Sequence, residues 1–115
     1  MIRPSALDDL PDTVHLVPQA IINVPISALI ERLGNVFHIG IDDLDYFRGA
    51  AFWLDDKVPG ALIQYRGYPE GEWSIHLPGE IQQVEDITGL VERVIRELDL
   101  PRDVLVWQRK DNPEL

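Results

Sequence analysis

Between residues 86 and 98 apolar side chains recur at steps of three and four, and Ile87, Leu90, Val91, Val94, Ile95 and Leu98 fall on one face of a predicted helix. The other side carries Glu92 four residues before Arg96 and Arg93 four before Glu97, pairs that suit a solvated face. Pro101 cannot continue the helix, because it lacks an amide donor and its ring meets the preceding turn. A shorter helix is predicted over 25–33. There Ile26, Leu29, Ile30 and Leu33 share a face, Pro25 is tolerated in the first turn and Gly34 ends the helix.

Between the helices the period falls to two. Residues 72–77 alternate, with Trp73, Ile75 and Leu77 on one side and Glu72, Ser74 and His76 on the other. Residues 61–66 alternate too, and 67–71 have the Pro and Gly content of a turn, so the two runs form a hairpin. The register that keeps the apolar side chains together sets Tyr65 against Trp73 and Ile63 against Ile75, while Arg66 meets Glu72 and Gln64 meets Ser74. A third strand over 48–55 is joined through residues 57–60, which puts Leu54 opposite Ile63 and Phe52 opposite Tyr65.

Residues 36–41 add a strand, and the β-branched and aromatic stretch 104–109 a last one. The pattern leaves open whether 14–17 form a short strand before Pro18 and whether 1–12 are a loosely held arm; 111–115 read as a frayed tail. The expected fold is one α+β domain. It is a two-layer sandwich with a mostly antiparallel sheet, a central three-stranded meander at about 48–77, two helices on one face and a C-terminal strand. If the strands flanking the second helix are parallel, their crossover is right-handed.

Composition narrows the function classes. Apolar residues make up 45% of the 115, enough for a core despite a net charge of −10. Twenty carboxylates against ten Lys and Arg raise a negative potential that repels phosphate backbones, so no nucleic-acid partner is expected. With no cysteine there is no disulfide, thiolate catalysis or thiolate-bound metal, which fits a reducing compartment. The longest apolar run, residues 50–54, is far short of the roughly 20 residues of a membrane span. Residues 1–12 hold three aspartates and no apolar stretch of signal-peptide length, so the expected location is cytoplasmic.

Local chemical motifs are few. The eight glycines form no phosphate loop or dinucleotide fingerprint, and no serine sits in a Gly-x-Ser-x-Gly elbow. Asp42, Asp43 and Asp45 are the densest acidic cluster. Counted from Asp43, however, an EF-hand loop would place Arg48 where Gly is needed and Leu54 where a bidentate Glu is needed, so an acidic turn or a first helical turn is favoured. His15, His38 and His76 lack the spacing that presents a metal from one element, and neither a metal nor a cofactor is expected.

The binding candidates lie on the polar sheet face, where the expected register lines up Trp53, Gln64 and Ser74 beside Arg66, Glu72 and His76. The simpler reading covers Trp53 with residues 1–22 or the final strand and leaves the others solvated. Glu72 and His76, two steps apart on one strand side, have the geometry of an acid–base pair but specify no reaction. Tyr65, Tyr68 and Trp73 form a second candidate patch around the 67–71 turn.

Small size, acidity and the lack of a catalytic constellation favour an interaction module, inhibitor-like, antitoxin-like or immunity-like, that covers a protein partner, with a basic surface fitting the charge. The alternatives are a homodimer or other homo-oligomer using Leu62, Trp53 and Trp107, and a small-molecule binder or enzyme using Arg66, Glu72, Ser74 and His76.

Overall fold

The computed structural model describes residues 2–11, 15–41, 45–81 and 84–109, and within them a seven-stranded antiparallel sheet carries two helices. The strands are β1 (Ile2–Ser5), β2 (Leu16–Asn23), β3 (His38–Ile41), β4 (Tyr46–Leu54), β5 (Val58–Tyr65), β6 (Glu72–Pro78) and β7 (Leu105–Gln108). Helix α1 (Ile26–Leu33) follows β2 and helix α2 (Val84–Glu97) follows β6. Across the sheet the order is β1-β4-β5-β6-β2-β7, with β3 paired to the first half of β4 and β1 to its second half. Because β6 and β7 each run antiparallel to β2 between them, they are parallel to each other, and α2 is their crossover.

One dry layer holds sheet and helices together. Ala20, Ile22, Phe52, Leu54, Leu62, Trp73, Ile75 and Leu77 pack with Leu29 and Leu33 of α1, with Ile87, Val91, Val94 and Ile95 of α2 and with Leu98 just past its end. The α+β sandwich and the helical stripe are thus as the periodicity indicates. Gly34, at φ 78°, caps α1 by donating its N–H to the Ile30 carbonyl at 2.8 Å. At the end of α2 the left-handed position is filled by Asp99, φ 55°, whose N–H goes to the Arg96 carbonyl while the Leu100 N–H reaches that of Ile95. An ion pair between Arg32 and Asp99 ties the two helix ends together.

The register of the meander differs from the expected one. The chain turns at Asp55 and Asp56, both left-handed (φ 53° and 58°), with the Lys57 N–H bonded to the Leu54 carbonyl at 3.0 Å. These are the backbone angles of the hairpin turn whose twist matches its strands. Val58, Pro59 and Gly60 therefore belong to β5, and Leu54 pairs with Val58 and Phe52 with Gly60 instead of Ile63 and Tyr65. In the next hairpin Leu62 pairs with Ile75 and Ile63 with Ser74, one residue away from the expected match. The core side chain of β5 is Leu62, while Ile63 faces the other way. Alternation misleads here because β5 is buried on both faces, at Ala61, Leu62 and Ile63 alike.

Residues 1–12 are not a free arm where described. β1 adds to the edge of β4, Arg3 forms a 2.6 Å ion pair with Asp56, and Leu7 lies against Gly49 on the face away from the helices. β2 runs through Pro18, whose interruption is absorbed by a bulge between Pro18 and Ala20. Val14, Asp42, Asp43 and the tail 111–115 lie outside the described residues.

Two tests follow from the turn and the strand it starts. A Cβ on Gly60 would fall 2.3 Å from the ring of Phe52, itself fully buried, and 3.1 Å from the His76 carbonyl oxygen. Gly60→Ala is expected to cost about 1–3 kcal/mol, whereas Gly89→Ala on the exposed side of α2, where an added Cβ meets nothing, gains about 0.5–1 kcal/mol. Urea midpoints of the two variants check both signs. The Arg93 guanidinium, 2.5 Å from Asp55, holds that carboxyl at about 2, below its ordinary 3.8. A depressed carboxyl stabilises the fold above its unfolded value and loses that contribution as the pH falls through the folded one. Asp55→Asn, which still tolerates left-handed backbone, should melt below wild type at about pH 6, and the gap should close between about pH 4 and pH 2. A gap unchanged over that window in thermal melts would refute the assignment.

Candidate binding cleft

The register decides which candidate residues meet. Gln64 and Arg66 stand on the helix-facing side of β5, in phase with Leu62, whereas Glu72, Ser74 and His76 alternate on the opposite side of β6 from Trp73. Trp53 is half-buried, opposite Arg3 on one side and Pro59 on the other, in phase with Ala51 rather than with the core residues Phe52 and Leu54. The row Trp53, Gln64, Ser74 is therefore split between two faces. Ser74 is 1% exposed and its hydroxyl has no hydrogen-bond partner, so it is buried structure rather than contact surface. Arg66 does not meet Glu72 but forms a 3.0 Å ion pair with Asp45 and lies 5.1 Å above the ring of Tyr46.

What the fold does assemble is a cleft of about 500 Å³ at the end of the meander, where Gln64, Arg66 and Tyr68 join Tyr46, Phe47, Arg48 and Tyr65. Ile39 and Glu70 complete its rim. The rings form a chain: Phe47 meets Tyr65 edge to face at 6.0 Å, and Tyr65 meets Tyr68 at 5.6 Å. The turn that presents Tyr68 is fixed by the Tyr68 N–H bonded to the Tyr65 carbonyl at 3.0 Å and the Glu72 N–H to that of Pro69 at 3.1 Å.

Arg48 is the hinge of this geometry. It stands opposite Gln64 and in phase with Ala50 and Phe52, so the strand places a guanidinium at the margin of the dry layer. Its Nε donates to Gln64 Oε1 at 2.7 Å, Gln64 Nε2 donates in turn to the Glu72 carbonyl at 3.1 Å, and the guanidinium lies 5.4 Å over the ring of Trp73. Phe37 braces that indole edge-on at 5.3 Å. Arg3, Arg32, Arg66, Arg93 and Arg102 each face a carboxylate, whereas Arg48, Arg96 and Arg109 have none among the described residues; of these three only Arg48 lines the two clefts.

On the far side of the Arg48–Gln64 pair a second cleft of about 350 Å³ runs to the start of α1, walled by Trp73, Asn23, Ile26 and Ser27. The two clefts share Arg48, Gln64 and Glu70. Neither includes Glu72, Ser74 or His76, so the acid–base candidates Glu72 and His76 stay apart from them. Among the described residues no three of His, Cys, Asp and Glu converge as a metal site, and no helix is long and apolar enough to cross a membrane.

Sequence reasoning picked out the turn that carries Tyr68, but missed Tyr46, Phe47 and Arg48. The signal for Arg48 was present, since a cation in phase with Phe52 and Leu54 belongs to the apolar side of its strand. Compared with protein-family models, curated proteins and solved structures, the chain matches none.

Proposed function

We propose that this chain is a small protein-recognition module that seats a segment of its partner in the cleft at the end of the meander. The carrying observation is the cluster of Tyr46, Tyr65, Tyr68, Arg48 and Arg66 around one concavity. Tyr and Arg are enriched among the few residues that supply most of the energy in protein interfaces, because they pair large apolar contact with directed hydrogen bonds. Strands present three of the five and a hydrogen-bonded turn the other two, so little ordering is needed on binding. The net charge of −10 serves association with a basic surface elsewhere on the partner, through steering rather than through this contact.

A photo-crosslinking residue at position 68, compared with one at exposed position 31 on α1, identifies the partner from native extract. Affinity is then measured with the purified partner. Tyr68→Ala is expected to weaken that binding by about tenfold or more; equal crosslinking from both positions, or unchanged affinity, would discard the reading.

A second reading, self-association, has its own observation. β7 is an edge strand, and it exposes Val106 (55%) and Trp107 (43%) side by side. If two copies pair along β7, sedimentation shows a monomer–dimer equilibrium that Val106→Lys abolishes; a monomer at every concentration removes it.

A further inference from the structure

We propose that the Arg48 subsite takes the carboxylate of an acidic side chain on the partner segment, while the adjoining tyrosine cleft holds the neighbouring apolar residue. This rests on the partner-binding reading above and names the chemistry of that same site.

Three unspent groups border the smaller cleft. Arg48 is half-buried, with Nε committed to Gln64 and one face on Trp73, which leaves its two Nη groups without a protein acceptor among the described residues. Trp73 is fully buried, and its indole Nε1 has no hydrogen-bond partner. The first turn of α1, where Ile26 and Ser27 line the wall, is preceded by Pro25, which offers no side-chain cap. All three are donors. A guanidinium, an indole N–H and a helix start together fit an anion, and the first two fit it independently of the third.

The kind of anion follows from the surroundings. The fork of Arg matches the two oxygens of a carboxylate in its plane. A dianionic phosphate would face the exposed Glu70 at the shared rim and the negative field of the whole chain, with one free guanidinium to offset both. The clefts adjoin at Arg48 and Gln64, so a chain lying along both would present a side chain there rather than its terminus.

The full chain, labelled with ¹⁵N, is titrated with N-acetyl-Phe-Asp-amide and with N-acetyl-Phe-Asn-amide, following the Trp73 indole N–H signal identified by its loss in Trp73→Phe. The aspartyl ligand is expected to move that signal and to bind at least about tenfold more tightly than the asparaginyl one. Arg48→Gln should abolish the difference and Glu70→Gln should enlarge it. Should Arg48→Gln unfold, Arg48→Lys, which keeps the charge but not the fork, should reduce it. Equal binding of the two ligands, an Arg48 variant that still discriminates, or an equal response to inorganic phosphate would overturn the carboxylate assignment. A response only to N-acetyl-Ala-Phe with a free C-terminus would overturn the side-chain source. Failure of the partner reading is seen separately, in the Tyr68→Ala affinity for the purified partner.

Discussion

Two neighbouring aspartates held in left-handed backbone set the phase on which the remainder of the sheet depends. With the turn at Asp55 and Asp56, Leu54 meets Val58, the ring of Phe52 covers Gly60, and Arg48 comes to stand opposite Gln64. Aspartate suits this role because its short polar side chain lessens the penalty that other residues pay for positive φ. Had the chain turned through residues 57–60, the shift would be an odd number of residues, and every side chain of one strand would change faces relative to the other. Arg48 would then fall opposite Pro69 in the next turn, with no Gln64 to orient it.

Helical elements were legible because burial on one side leaves a clear period. Ile87, Val91, Val94 and Leu98 are buried, and Glu92 and Arg96 on the same helix are exposed. The sheet was legible as strands but not in phase. Gly49, Ala51, Ala61 and Ile63 are covered on the face away from the helices, so both sets of alternating residues look like a core. β1 could not be read at all from Ile2, Arg3, Pro4 and Ser5, because main-chain pairing with β4 forms it rather than any side-chain pattern. The candidate site was legible at Gln64, Arg66 and Tyr68, which line the cleft, and illegible where it depended on register, at Trp53 and Ser74.

The two faces differ in kind. On the helix side, large apolar residues interlock across the layer, which fixes Trp73 and through it the plane of Arg48. On the other side, small residues let a short N-terminal turn lie close: a Cβ on Gly49 would come within 3.1 Å of Leu7 and 2.8 Å of Ile63. Each side leaves a buried polar atom without a hydrogen bond, Ser74 Oγ on this face and Trp73 Nε1 on the helix side, where Gln64 by contrast is bonded. Arg48 thus stands on the side of the large interlocking residues, where a donor can be held in place before a ligand arrives.

Charge makes the case for Arg48 sharper. In a chain with twenty carboxylates, Arg48 and Arg109 are half-buried guanidiniums held by neutral acceptors, but Arg109 gives both Nε and Nη2 to the Pro18 carbonyl, whereas Arg48 gives Nε to Gln64 and keeps its Nη groups. An aspartate at position 64 would orient the side chain as well and neutralise it; Gln64 orients it and leaves its charge unspent. A partly desolvated cation without a counterion is unfavourable for the isolated fold, so the arrangement trades stability for a charge available to a ligand. The surrounding negative field then works as a filter. It disfavours acidic chains everywhere except where a carboxylate reaches the fork of Arg48, so the same excess of acid that weakens casual contacts makes that one contact more discriminating.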